Sequence, residues 1–349
     1  MSLGFFIVLI FTLMKYEFSI IIPVYNRPQE VRELLDSCLF VEEINSCEIV
    51  IVEDGSDQKC EDIIKDFQEK LSISYYFKPN TGPGDSRNYG MRKAKADYFI
   101  ILDSDVLLPK NYIKNIRKNL NTNFIDCFGG PDKAHHSFSN VQKAINYAMT
   151  SFWTTGGVRG RHEHKKGFQP RSFNMGLSKN AFLKSGGFSS IHPGEDPDLS
   201  LRLNKMGFQT ALFEDCYVFH KRRIDWLRFA KQVYKFGLVR PILNLWHPIA
   251  HKPIYYLPSV FSLGFILALL LLYINQFWLL IFYSIYFIFV FIDALLQNKS
   301  LKLASFAIWA IFIQFFCYGY AFLLSSILFL ILKKNPQKTF PFLFYKSAS

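Results

Sequence analysis

From residue 254 to residue 332 the chain carries Asp293, Lys299 and Lys302 and no other charged side chain. A run of that length and apolarity cannot be covered by a soluble core. It matches several membrane helices, each needing about 20 apolar residues to cross a ~30 Å hydrocarbon layer. Asn275-Gln276 and Asn298-Lys299-Ser300-Leu301-Lys302 divide the run into blocks at about 254–274, 277–297 and 303–332, so three spans is the simplest count. The run also explains why charged residues make up only 19% of the whole chain, against about 25% in an ordinary soluble domain.

Immediately before the first block, residues 221–253 hold Lys221, Arg222, Arg223, Arg228, Lys231, Lys235, Arg240 and Lys252 against Asp225 alone, interleaved with Trp226, Phe229, Tyr234, Phe236 and Trp246. Basic side chains reach lipid phosphates while aromatics sit at headgroup level. We therefore expect a basic amphipathic interfacial segment that meets membrane lipids and not nucleic acid. The positive-inside rule places it, and the Lys299/Lys302 loop, in the cytoplasm. The tail, 333–349, is basic too, with Lys333, Lys334, Lys338 and Lys346, and sits awkwardly with an odd number of crossings. A split or re-entrant block is the alternative.

At the other end, residues 1–14 include an apolar run of about 12 residues with no Lys or Arg before it, too short for a span and lacking a secretory n-region. Two readings stay open: a start at Met14 with the upstream residues a translation artefact, or a peripheral anchor. The six cysteines form no CxxC pair and several lie in apolar runs. This indicates buried thiols in a reducing compartment and neither a disulfide framework nor a zinc site.

Between these ends, residues 15–220 alternate short β-type runs with helix-periodic segments, which argues for an α/β domain with a mainly parallel sheet. Strands are expected at 18–24, 48–53, 73–77 and 97–102. Val31, Leu34, Leu35, Cys38 and Leu39 recur at helical spacing between the first two. After the fourth strand comes Asp103-Ser104-Asp105. Two carboxylates leaving the end of a buried strand lie where open α/β sheets place ligands, and their oxygens suit Mg²⁺ or Mn²⁺. An Asx turn explains the same tripeptide without a metal.

Five blocks, SIIIPVYNRPQEV from Ser19, IVEDGSD from Ile51, NTGPGDSRNYGMRKAKADYFIILDSDVLLP from Asn80, SFNMGLSKNAFLKSGGF from Ser172 and GEDPDLSLRL from Gly194, follow in order over about residues 17–220. In this the chain resembles the inverting family 2 glycosyltransferases of GT-A fold, which use a nucleotide-sugar donor. The resemblance implies that Pro23 and Tyr25 flank the donor, that Asp54 hydrogen-bonds the base, typically uracil, and that Gly82 and Arg87 approach the donor. It further implies that Asp103 contacts ribose or metal, that Asp105 ligates Mn²⁺ or Mg²⁺, and that His220 is a further metal ligand. Glu195-Asp196 resembles the acidic pair at the acceptor site, with Asp196 as the base. Simpler roles stand beside these: Asp54-Gly55 as a turn, Asp85 or Ser86 as a helix cap, and Glu195, Asp196 and Asp198 as acids favoured by a helix N-terminus.

Residues 154–170, Gly-rich and basic with Arg159, Arg161, Lys165 and Lys166, read as a mobile loop able to clamp a diphosphate or meet an anionic lipid-linked acceptor. His162-Glu163-His164 lacks the spacing of a zinc motif. The expectation is a multi-pass protein of the inner, cytoplasmic membrane. In this expectation its cytoplasmic catalytic domain moves a sugar from a UDP-linked donor to a hydroxyl of a glycan or lipid-linked acceptor. The alternatives are transfer to a polyprenyl phosphate, and a non-catalytic nucleotide-binding scaffold. A transport role is disfavoured because Asp293 is the single acid in the apolar run.

Overall fold

The structure is a computed structural model that describes residues 16–133, 138–156, 168–220 and 225–345. The expected N-terminal apolar segment, the basic loop positions 157–167, Lys221 to Arg223 and Lys346 lie outside the described residues. The described residues divide into two compact units, one made of residues 16–133, 168–220 and 345, the other of 138–156 and 225–344.

In the first unit the elements run β1 (Phe18–Val24), α1 (Pro28–Cys38), β2 (Cys47–Asp54), α2 (Glu61–Lys65), β3 (Ile73–Lys78), α3 (Pro83–Lys93), β4 (Tyr98–Leu102), β5 (Val106–Leu107), α4 (Tyr112–Thr122), β6 (Cys127–Gly129) and β7 (Asp132–Lys133). After the second unit's first excursion, which contains α5 (Asn140–Thr150) and α6 (Phe152–Thr155), come β8 (Asn174–Ser178), α7 (Lys179–Ser185), α8 (Glu195–Lys205), β9 (Thr210–Leu212) and β10 (Val218–His220). The main sheet has the order β3-β2-β1-β4-β8-β6-β9. Its first four strands are parallel, and β8 runs antiparallel to both β4 and β6.

The central residues of β1, β2 and β4 are apolar on both sides of the sheet because both faces are covered. Ile20, Ile22, Ile49, Ile51 and Ile100 enter one core, while Ile21, Val50, Val52, Phe99 and Ile101 enter the other. This is the period of two that a strand imposes. The expected helix after β1 is present, with Val31, Leu34, Leu35 and Cys38 buried and Pro28 in its first turn. Pro23 is tolerated in a central strand because the β1–β4 ladder covers Ser19 to Ile21 and stops short of it. A small second sheet, β5-β10-β7, pairs His220 antiparallel with Val106.

Among the described residues of the second unit, three helices are long and apolar enough to cross a membrane: Pro253–Leu272, Trp278–Asn298 and Leu301–Ile331. These match the three expected blocks to within a few residues. The basic segment forms one helix, α9 (Trp226–Trp246), and α10 (Leu257–Leu272), α11 (Trp278–Asn298) and α12 (Leu301–Ser326) follow. Close packing of α9 on α12 depends on Gly237, where a Cβ would crowd the Tyr318 carbonyl at 2.5 Å, the small-residue contact typical of membrane helices. Asp293 is not left alone: it accepts hydrogen bonds from the Tyr147 hydroxyl and from Gln297 Nε2.

Candidate functional site

Strands β1, β2 and β4 end at one edge of the sheet, with Pro23 and Asp54 in the last residues of β1 and β2 and with Tyr25, Asp103 and Asp105 just beyond β1 and β4. After β1, Asn26 adopts φ +52°. Its side-chain oxygen accepts the Asp57 and Gln58 N–H groups, and its own N–H donates to Ser56 Oγ. This lashes the Tyr25-Asn26 turn to the loop after β2 and leaves Tyr25 exposed.

At the end of β2 the two acids part. Glu53 accepts from the Cys60 N–H and the Tyr75 hydroxyl and holds the loop. Asp54 is buried, 3% exposed. Its Oδ1 accepts the Thr81 N–H at 2.9 Å and Lys78 Nζ at 2.5 Å, and its Oδ2 accepts the Gly82 N–H at 2.9 Å. Lys78, also buried, lies 3.2 Å from Asp85. Gly82 is the residue before α3 and has φ +92°, a conformation open to glycine at little cost. Asp85 and Ser86 do not cap α3 as expected: Gly82 holds the cap position, Asp85 faces Lys78, and Ser86 Oγ donates to the Gly82 carbonyl.

Beyond β4, Asp103, Asp105 and His220 bring one ligand atom each to within 4.8 Å of one another. The β5–β10 pairing explains the meeting, since His220 sits opposite Val106, next to Asp105 in sequence. His220 Nε2 lies 3.1 Å from Asp105 Oδ1, Arg27 Nη1 lies 3.3 Å from its Oδ2, and Phe173 stacks on the imidazole. Two carboxylates and an imidazole are a donor set that fits Mn²⁺ or Mg²⁺, with hard oxygens dominant.

Arg87 joins this cluster to the acidic pair. Its guanidinium is buried and reaches Asp103 Oδ1 at 2.7 Å with one nitrogen and Glu195 Oε1 at 3.0 Å with the other. Glu195 also receives His192 Nδ1 at 3.0 Å. Burial opposes ionisation of Glu195, but His192 and then Arg87 outweigh it and hold the carboxyl well below its usual range. The Arg87 part of that effect is fixed, whereas the His192 part needs a protonated imidazole. Asp196, one residue on, moves the other way: burial raises it, against the opposing pull of Arg171 at 3.7 Å. Both acids stand in the first turn of α8 after Gly194, so the helix-terminus role and a site role are compatible.

The sequence reading missed Lys78, Arg27, Arg171, His192 and Tyr345. His192 lies three residues before Glu195 and Arg27 directly follows Asn26, so adjacency to a motif was their signal. Lys78, Arg171 and Tyr345 gave none.

A family model described as Glycosyl transferase family 2 matches residues 19–183. An uncharacterized glycosyltransferase of Rickettsia typhi is 36% identical over 136 residues, 37% of this chain and 42% of that protein. One from Mycoplasma genitalium is 30% identical over 213 residues, 59% and 61% of the two chains. The chain thus spans less than two thirds of the length of either relative. Among solved structures, a mannosyltransferase from Pyrobaculum calidifontis in complex with GDP-Man and Mn²⁺ superposes with a TM-score of 0.56 over 91% of this chain and 88% of that one. At 15% identity that likeness is one of fold, and it is the likeness expected of a GT-A sheet. Residues 19–183 are a family 2 glycosyl transferase domain.

Proposed function

We propose that the chain is a metal-dependent inverting glycosyltransferase, transferring a sugar from a UDP-linked donor to a hydroxyl of a glycan or lipid-linked acceptor at the cytoplasmic face of a membrane. The observation that carries this reading is the Arg87 bridge between Asp103 and Glu195. One guanidinium touches both Asp103, of the carboxylate cluster, and Glu195, of the acidic pair, which supports reading the two as parts of one site.

The donor's base lies between the Tyr25 turn and Gly82, with Asp54 as hydrogen-bond acceptor. Asp103, Asp105 and His220 would hold a divalent ion, which when bound neutralises the charge developing on the departing diphosphate. Asp196 takes the acceptor hydroxyl's proton as the oxygen attacks the sugar carbon from the side opposite the nucleotide, inverting it. Glu195, tied to Arg87 and His192, orients and does not accept that proton. Two neighbouring carboxylates with pKa values pushed apart are the arrangement that separates a base from a structural acid.

The test is donor turnover by the full-length protein in detergent with a panel of UDP- and GDP-sugars, with Mn²⁺, with Mg²⁺ and with chelator. Metal-dependent release of UDP supports the reading. Nucleotide binding without any turnover on glycan, lipid or polyprenyl-phosphate acceptors would favour a binding scaffold.

A further inference from the structure

Tyr345 stands 14 residues after the last apolar helix ends at Ile331, yet it belongs to the first unit. Its N–H donates to the Ser190 carbonyl at 2.9 Å, and its ring centroid lies 5.9 Å from that of His192. The ring packs so closely on Gly82 that a Cβ there would collide with it. Its hydroxyl is pushed up first by burial and then by the negative charges of Asp54 and Glu195 and by Tyr25. That set of neighbours locates the ring among the groups assigned above to the donor base.

Two of those groups, Asp54 and Gly82, are closed to a ligand as they stand, while Tyr25 is exposed. Asp54 is 3% exposed and Gly82 is buried. The space left beside Tyr345, Thr81, Asp85 and His192 is about 70 Å³, far below the roughly 300–1,000 Å³ of sites that take small molecules. A phenol ring is close to a pyrimidine in size and shape, so it can fill a seat of that kind.

We propose that Tyr345 is a plug in the donor site. Its ring occupies the seat of the nucleobase against Gly82, and it withdraws before a nucleotide enters. This rests on the donor reading above. A plug carried on the same chain acts at high effective concentration. A site open for a fraction f of the time shows a dissociation constant 1/f times the intrinsic one, so a plug seated nine tenths of the time weakens binding about tenfold.

Isothermal titration of UDP with Mn²⁺ into the full-length protein in detergent tests this, comparing wild type, Tyr345→Ala, Tyr345→Phe and Asp54→Asn. Tyr345→Ala should bind UDP at least about fivefold more tightly than wild type, while Tyr345→Phe, which keeps the ring, should bind as wild type does. Loss of UDP binding in Asp54→Asn keeps the donor reading intact. In that setting, Tyr345→Ala binding equal to or weaker than wild type overturns the plug alone and makes Tyr345 a neutral neighbour or a stacking wall. If neither wild type nor Tyr345→Ala binds UDP or GDP, the donor reading fails and the plug fails with it.

Discussion

Asp196→Asn is the sharpest test of the catalytic assignment because the structure lets its two consequences be separated. The carboxylate is 15% exposed, in the first turn of α8, and its ion pair with Arg171 is long at 3.7 Å. Asparagine keeps the shape but cannot take a proton, so transfer should fall by roughly 10² to 10⁴, or about 2.7–5.4 kcal/mol at 1.36 kcal/mol per decade. Folding should respond far less. The helix-terminus charge contributes roughly 0.3–1 kcal/mol and a partly exposed ion pair of this length about 0–1 kcal/mol. Removing a carboxylate whose charged form burial disfavours offsets part of both. The assay is kcat at saturating donor and acceptor beside the melting temperature and a pH profile. Because Asp196 is raised above the ordinary ~3.9 of an aspartate, wild-type activity should climb with pH along an acid limb lying above that value, as the base loses its proton. The limb should be missing from the residual activity of the variant. A normally folded Asp196→Asn enzyme turning over within about threefold of wild type would refute the reasoning and point to an acceptor, such as a phosphate, that needs no base.

Asp105→Asn should make donor affinity insensitive to Mn²⁺, since an amide is a poorer ligand; titration with and without the ion measures it, and a normal metal-dependent gain would show that Asp105 is not a ligand. Arg87→Met should destabilise the protein by about 3–5 kcal/mol, because Asp103 and the buried Glu195 lose their shared cation, and a melting temperature within about 2 °C of wild type, where several kcal/mol would shift it by on the order of 10 °C, would contradict the bridge. Lys118→Cys places an exposed thiol on the catalytic unit, whose five natural cysteines are all buried, while Cys317, half-buried, belongs to the other unit. An impermeant thiol reagent should leave it unmodified in intact cells and label it after lysis, and labelling of intact cells would reverse the proposed orientation.

The long parallel strands were legible because they are uninterrupted apolar runs closed by turn chemistry, and the residues that leave them carry the site. The three apolar helices were legible for a cruder reason, the absence of charge. What escaped the sequence is short. Strands β5, β6, β7, β9 and β10 have two or three residues each, too few to display a period of two, and β8 reads as NMGLS, with no alternation of apolar and polar residues to mark it. Yet the pairing of β5 with β10 brings His220 to Asp105 across more than a hundred residues of chain. Likewise α5 has an ordinary amphipathic pattern and groups with the apolar helices, a partnership that depends on what its apolar face meets and not on the face itself.

Within the site, identity was readable and role was not. Glu195 and Asp196 are neighbours, and sequence alone gives them the same charge, nearly the same size and the same helix terminus. The fold separates them, because successive residues on a helix point about 100° apart: one turns inward to Arg87 and His192, the other toward Arg171 and the opening. A carboxylate clamped by a buried guanidinium is stabilised as the anion and made a weak base, while one whose charge is disfavoured by burial holds a proton more readily. The same logic applies to Lys78. At the end of a strand it reads as a solvated surface residue, but the fold buries it against Asp54 and Asp85, where it offsets part of their negative charge.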